Sequence, residues 1–268
     1  MSQKMIVISL VNGMIGGVVL VLPLIAIKSG YIMIALITLV EGLFNYYSCM
    51  LCIRHLRNYS DLDEALLKHF GGKRTVLVIY NLMIVFSTLI LLILYFALIC
   101  DQWISMIEES VLVPILNALF LFPLVYVMKK FKFGVYLLAY GVLSVIGYCL
   151  FLVWMLATAP SGSNQMIAAD TDGSELLAML NLGFAIQGAF IPIMKNNSNK
   201  KGYNKLLVIT FMIGSFVYGF IGYAGGYGIL NRTPLRPPET IEDYFPHKEW
   251  EVIILEVIYL IHLYTVFP

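Results

Sequence analysis

The chain has 268 residues, of which 60% are hydrophobic and 12% are charged, and its mean hydropathy is +0.86. Soluble domains carry about 25% charged residues, so the composition excludes a soluble globular protein and predicts an all-α, polytopic membrane protein. The formal net charge of +1 gives no reason to expect a nucleic-acid partner. Residues 1–268 are expected to form a single transmembrane domain with bound lipids around it.

Eight apolar runs approach or reach the roughly 20 residues that a helix needs to cross a bilayer. They predict about eight transmembrane helices, at 5–27, 31–53, 76–100, 111–128, 133–157, 176–194, 206–230 and 252–267. Between the second and third runs, residues 60–70 predict a short amphipathic helix. It has acidic residues in its first turn and Gly71 as its stop signal.

Positively charged residues alternate between the predicted connections. Thirteen of the 17 Lys and Arg residues share the side of the N-terminus, and the four on the opposite side are Lys28, Arg232, Arg236 and Lys248. The positive-inside rule therefore predicts a cytoplasmic N-terminus, or a matrix one in a mitochondrion. The membrane itself is left open, with the mitochondrial inner membrane as one candidate.

The first apolar run contains a stretch, VNGMIGGVVLVLP at 11–23, that disfavours a continuous helix. Its unusual residues are Asn12, Gly13, Gly16, Gly17 and Pro23. Glycine costs about 1 kcal/mol relative to alanine inside a helix, and an interior proline about 3 kcal/mol. Broken helices survive in membranes only where protein or a water-filled cavity surrounds them. The stretch therefore predicts a broken first span that forms part of a binding site.

The sixth run repeats the pattern. In LNLGFAIQGAFIP, at 180–192, Asn181 and Pro192 have the same separation as Asn12 and Pro23. Two broken spans five crossings apart predict an inverted repeat, with 1–157 as the first five-span repeat and 176–268 as an incomplete second repeat of three spans. The alternative is that these glycines only allow neighbouring helices to pack closely.

Two further polar residues are candidate functional groups. Glu41 lies in the middle of the second run with Asn45 on the same helical face, so it is a possible coupling carboxylate, or else a neutral group that holds helices together. Gln187, beside Gly188, lies inside the predicted second break and is a candidate substrate contact. No sequence motif supports an enzyme, a metal site or a resident cofactor.

The order and spacing of several motifs resemble the amino acid/auxin permease family of transmembrane amino-acid transporters. The motifs are NGMIGG at 12–17, LP at 22–23, YSDL at 59–62, FGG at 70–72, LFPL at 121–124, GAFIPI at 188–193 after Phe184, and GYAGGYG at 222–228. The resemblance extends over residues 5–230. It implies a LeuT-like bundle, here partial, with broken spans 1 and 6 and with H⁺- or Na⁺-coupled transport of a small amino acid.

Carried onto this chain, the resemblance implies a set of substrate-binding residues. They are Asn12, Gly13, Gly16, Gly17, Phe184, Gln187 and Gly188. Relative to the family the chain is expected to be truncated at its C-terminus by three spans. That expectation keeps a second hypothesis open, a transport-inactive, transporter-derived structural subunit of a larger membrane complex such as a respiratory or ATP synthase assembly. Other membrane subunits or a second copy would then cover the missing helices.

Overall fold

The computed structural model describes residues 3–16, 18–56, 62–107, 112–128, 131–158, 166–169, 173–184, 202–230 and 250–266. Every regular element in these ranges is an α-helix. The helices are α1 (Gln3–Met14), α2 (Val18–Ser29), α3 (Tyr31–Leu56), α4 (Leu62–His69), α5 (Arg74–Ile107), α6 (Leu112–Met128), α7 (Phe131–Ala157), α8 (Ser174–Phe184), α9 (Tyr203–Leu230) and α10 (Trp250–Val266).

Four of these helices, α3, α5, α7 and α9, contain stretches long and apolar enough to cross a membrane. A fifth span is formed if α1 and α2, which meet at an angle of 58°, are counted as one bent crossing. The protein is therefore a multi-pass helical membrane protein, as the composition predicts. The described parts of the other predicted runs also lie on helices, but α6 and α10 have 17 residues each and α8 has 11, so the count of eight spans stays a prediction.

The short helix predicted between the second and third runs is confirmed as α4. Asp63 and Glu64 lie in its first turn, and Lys68 and His69 lie in its last. Charges of these signs stabilise the two ends of the helix dipole. The chain then leaves the helix through Gly71 and Gly72, whose φ angles are 63° and 78°.

Helix α9 lies at the centre of the bundle and packs against α1, α2, α3 and α7. Small residues on α9 allow this close packing. A Cβ atom added to Gly225 would lie 2.5 Å from Cγ of Pro23, and one added to Gly222 would lie 3.1 Å from Cγ2 of Ile34. Helix α10 covers another side, where it contacts α7, α5 and α1.

The segment just before α8 is fixed to the start of α3 by backbone hydrogen bonds. The N–H of Tyr31 donates to the carbonyl of Ile167 at 3.2 Å, and the N–H of Ile32 donates to that of Ala168 at 2.9 Å. Gly30 allows this approach because its φ is +89° and because an added Cβ would lie 2.8 Å from the Ala168 backbone. This corner closes the bundle at the end where α2 meets α3.

Helix α5 is the least enclosed of the long helices. Only 6% of its most apolar stretch is buried, although this 34-residue helix is apolar along most of its length. Its packing partners are α4, α6 and α10. Such a surface suits contact with lipid acyl chains.

Candidate functional site at the break in the first span

The first span is broken between Met14 and Val18. Ile15 still donates its N–H to Val11 at 2.9 Å, but Val19 donates to Gly16 at 3.3 Å instead of reaching back to Ile15 as a regular helix requires. The change of direction, 58°, turns the last carbonyl groups of α1 away from the axis of α2. The helix is thus interrupted where the sequence predicts it, and that α1 and α2 together form one transmembrane span stays a prediction.

Tyr218 of α9 satisfies the first of these carbonyls. Its hydroxyl donates to the Met14 oxygen at 2.5 Å, and its side chain is completely buried. The ring packs edge-on against Phe184, with the two ring centroids 5.1 Å apart. Gly183 makes room for the hydroxyl, since a Cβ atom at that position would overlap Oη of Tyr218. One side chain therefore joins the end of α1 to the end of α8.

His262 of α10 binds the second carbonyl. Its Nε2 atom lies 2.5 Å from the oxygen of Ile15, and its Nδ1 atom lies 3.3 Å from the oxygen of Gly141 in α7. The imidazole is 2% exposed, so these contacts lie inside the protein. A buried carbonyl without a hydrogen bond costs about 1–3 kcal/mol. At the break, the Met14 carbonyl accepts from the Tyr218 hydroxyl and from the N–H of Gly16 at 3.1 Å, and the Ile15 carbonyl is bound by His262.

Tyr95 of α5 closes the break from a third direction. A Cβ atom added to Gly16 would overlap Oη of Tyr95, so a larger residue here would displace that hydroxyl. The predicted role of Gly16 in substrate binding stays a prediction. Side chains from α5, α9 and α10 thus meet at a break of only a few residues.

Pro23 does not add a second break. It lies inside α2, which continues to Ser29. Proline has no N–H, so it cannot donate to the carbonyl four residues earlier, which belongs to Val19. The hydroxyl of Tyr148 in α7 donates to that same carbonyl at 3.4 Å. A side chain again replaces a hydrogen bond that the backbone of the first span does not make.

The predicted substrate-binding residues fall into three groups. Asn12, Gly16 and Phe184 are buried at or near the break, Gly13 is exposed, and Gly17, Gln187 and Gly188 lie outside the described residues. Phe184 and the break are brought together, because Phe184 packs on Tyr218 and Tyr218 binds Met14. The predicted broken stretch of the sixth span, 180–192, is helical in α8 as far as Phe184, and the rest of it lies outside the described residues.

Glu41, the predicted coupling carboxylate, is buried in α3 and bonded to its neighbour on the same face. Nδ2 of Asn45 lies 3.0 Å from Oε2 of Glu41 and 3.0 Å from its backbone oxygen. The adjacent Gly42 faces Ser215 and Phe184, whose atoms an added Cβ would approach. Glu41 therefore lies on a helix that borders the candidate site, and its neighbour Gly42 is the residue that faces Phe184.

Tyr95, Tyr218 and His262 were not predicted from the sequence. The signal for His262 was present, because an ionisable residue inside an apolar span is by default a functional candidate. Tyr95 and Tyr218 gave no comparable signal. The chain has 17 tyrosines, and tyrosine is common at membrane interfaces, so nothing in the sequence distinguished these two.

A small cavity adjoins the break. It is lined by Val19, Ser144, Val145, Tyr148, Ile221, Ile258, Tyr259 and His262. The space open to the centre of a water molecule is about 10 Å³, enough for at most one water and too small for an amino acid. In this conformation the protein's own side chains occupy the described part of the site.

Comparisons with protein-family models, with curated proteins and with solved structures give no match. The description of the site therefore depends on its geometry. That geometry has two notable parts. The first is a buried break whose backbone carbonyls face inward, and the second is a set of polar side chains from distant helices that meet them.

Proposed function

We propose that this protein is a secondary transporter of small amino acids with a LeuT-like, inverted-repeat arrangement of helices. The observation that carries the proposal is the buried break between Met14 and Val18. A break inside a membrane span leaves backbone groups that must be satisfied by protein or by ligand. Transporters of the inverted-repeat type place their substrate at such breaks.

The pattern of helix contacts supports the repeat. If each segment is equivalent to the one five spans later, the first span corresponds to α8, α3 to α9, and α5 to α10. Each of these three pairs is in contact. An inverted repeat also predicts that if the first span contacts the equivalent of α3, then α3 contacts the equivalent of the first span. Both contacts occur, because the first span packs on α9 and α3 packs on α8. Two repeats related by an axis through the centre of the bundle would produce this set of neighbours.

The break has the polarity that a zwitterionic amino acid requires. The start of α2 at Val18 offers N–H groups for a carboxylate, whereas the carbonyls of Met14 and Ile15 offer acceptors for an ammonium group. Tyr218 and His262 donate to those carbonyls in the present conformation. Substrate binding would then require the two side chains to move aside, so this conformation corresponds to a closed, substrate-free state.

The proposal includes a coupling ion and an orientation. H⁺ or Na⁺ would drive uptake, with Glu41 as a candidate carboxylate for the coupling, and the N-terminus would lie on the cytoplasmic or matrix side. Lipids would cover apolar surfaces such as the exposed stretch of α5. A second copy or other membrane subunits would cover any surface that lipid does not.

An uptake assay tests the proposal. The purified protein is reconstituted in liposomes and offered a mixture of labelled amino acids, with an inward H⁺ or Na⁺ gradient. We expect gradient-dependent uptake by the wild type and its loss in Gly16→Leu, whose side chain would fill the break beside Tyr95. Gly219→Ala is the matched control, because an added Cβ there meets no atom within 4 Å. Absence of uptake by folded wild-type protein under either gradient would contradict the proposal.

A second candidate function is a transport-inactive structural subunit of a larger membrane complex. The observation that favours it is that Tyr218 and His262 already satisfy the break and that the adjoining cavity holds no more than one water. Purification in mild detergent distinguishes the two functions. Partners at fixed stoichiometry together with no uptake would favour the structural role, whereas uptake by the isolated chain would exclude it as the sole function.

A further inference from the structure

His262 links three helices at the break. Its Nε2 atom contacts the carbonyl oxygen of Ile15 at 2.5 Å, and its Nδ1 atom contacts that of Gly141 at 3.3 Å. Ile15 follows the last residue of α1, Gly141 belongs to α7, and the imidazole itself belongs to α10. The hydrogen-bonding state of one buried ring therefore affects how these helices are held together.

Both partners of the ring are acceptors. A carbonyl oxygen has no hydrogen to donate, whereas a neutral imidazole has one N–H and one lone pair. If the neutral ring donates through Nε2 at the shorter distance, its Nδ1 lone pair points at the oxygen of Gly141. Only the protonated ring donates to both carbonyls. The hydroxyl of Ser144 donates to the same Gly141 oxygen at 2.7 Å, so the second contact is made to a shared acceptor.

We propose that His262 is a proton-binding site, with Ile15 and Gly141 as the carbonyl ligands of the imidazolium. The incoming proton is added to Nδ1 and creates the hydrogen bond to Gly141, while the bond from Nε2 to Ile15 persists. Hydrogen bonds from a charged donor are about twice as strong as those from a neutral one. Protonation therefore ties the break more firmly to α7 and α10, and deprotonation releases the contact with α7.

The groups around the ring determine the pH range in which the proton binds. Tyr148 of α7 and Tyr259 of α10 line the same cavity as His262, and Tyr95 of α5 lies against Gly16. The other titratable side chains described on the helices that pack against α10, and on α10 itself, are Lys4, Arg74, Tyr80, Cys100, Asp101, Tyr140, Cys149, Glu256 and Tyr264.

Among the side chains that the structure describes, the titratable groups beside the His262 ring are thus tyrosine hydroxyls. The backbone carbonyls of Ile15 and Gly141 favour the cation, while burial inside a membrane bundle opposes it. Proton binding of this kind does not depend on amino-acid transport by the protein.

The test is a pH titration of the ring by nuclear magnetic resonance. The three other histidines are replaced in the variant His55→Gln/His69→Gln/His247→Gln, so that His262 gives the only imidazole signals, and the ¹⁵N-labelled protein is placed in lipid nanodiscs. As the pH is lowered from about 8 to about 3, we expect a neutral ring protonated on Nε2 to become an imidazolium. Its Nδ1–H should exchange slowly with water, because the ring is 2% exposed.

A second signal checks the proposed ligand. The ¹³C carbonyl resonance of Gly141 should move with the same midpoint as the ring, because the new hydrogen bond ends on that oxygen. A folded protein whose ring stays neutral down to about pH 3 would overturn the proposal. Titration of the ring without a matching change at Gly141 would also overturn it, since the proton would then bind without forming the link to α7.

Discussion

The hydroxyl of Tyr218 provides the sharpest test of how the break is stabilised. Tyr218→Phe removes a single oxygen atom that donates to the Met14 carbonyl and leaves the aromatic packing against Phe184 in place. The carbonyl then remains buried with one hydrogen bond fewer. Because the N–H of Gly16 still donates to this carbonyl, the expected cost is that of one lost hydrogen bond, about 0.5–1.5 kcal/mol. Hydrogen bonds between membrane helices can be worth less, about 0.6 kcal/mol on average, where the freed group finds another partner.

The Met14 carbonyl keeps one partner in this variant. The N–H that would ordinarily bond to it belongs to Val18, beyond the break, where α2 runs in a different direction. The donor that remains is the N–H of Gly16, at 3.1 Å. Roughly 2–4 °C of melting temperature corresponds to 1 kcal/mol in proteins of about this size. We expect the melting temperature of Tyr218→Phe to be lower by about 1–6 °C.

Thermal unfolding of purified protein in detergent, followed by circular dichroism, measures this difference. Tyr223→Phe is the matched control, because Tyr223 lies on the same helix with 49% of its side chain exposed. The same chemical change at this position should leave the melting temperature nearly unaltered. Equal melting temperatures for the two variants would refute the view that the Tyr218 hydroxyl stabilises the break.

Three further substitutions test other contacts, each by the same thermal assay. Gly16→Ala should destabilise the protein by displacing Tyr95, and adding Tyr95→Phe should recover part of the loss, so purely additive effects would contradict the contact. Gly30→Ala should cost about 1–3 kcal/mol because its φ is +89°, and an unchanged melting temperature would rule out that strain. Glu41→Gln should preserve stability, because an amide oxygen still accepts from Asn45, whereas Glu41→Leu should cost about 0.5–1.5 kcal/mol, and equal stabilities would contradict this role.

The elements of this fold could be predicted from the sequence because their signals are local. Long apolar runs determined the helices, and the glycines near Asn12 determined where the first span breaks. The boundaries were less accurate. Helix α5 extends to Ile107, well beyond the predicted end at residue 100, and there Trp103 donates to the hydroxyl of Tyr264 at 3.0 Å. A contact with a distant helix supports the extra turns, and no local pattern contains that contact.

The partners of the break could not be predicted for the same reason. Tyr218 and Met14 are 204 residues apart, and His262 and Ile15 are 247 residues apart. Helical periodicity shows which residues share a face, but it does not show which helix that face meets. The effect of Pro23 was also compensated from a distance, because Tyr148 supplies the hydrogen bond that proline cannot make.

The distance between the break and its partners has a consequence for synthesis. At about 5–20 residues per second, on the order of 10–50 s pass between the emergence of the first span and that of Tyr218 and then His262. During this interval the Met14 carbonyl is in the membrane without Tyr218, and the Ile15 carbonyl is there without His262. We therefore expect the break to be less stable in the nascent chain until α9 and α10 have been synthesised.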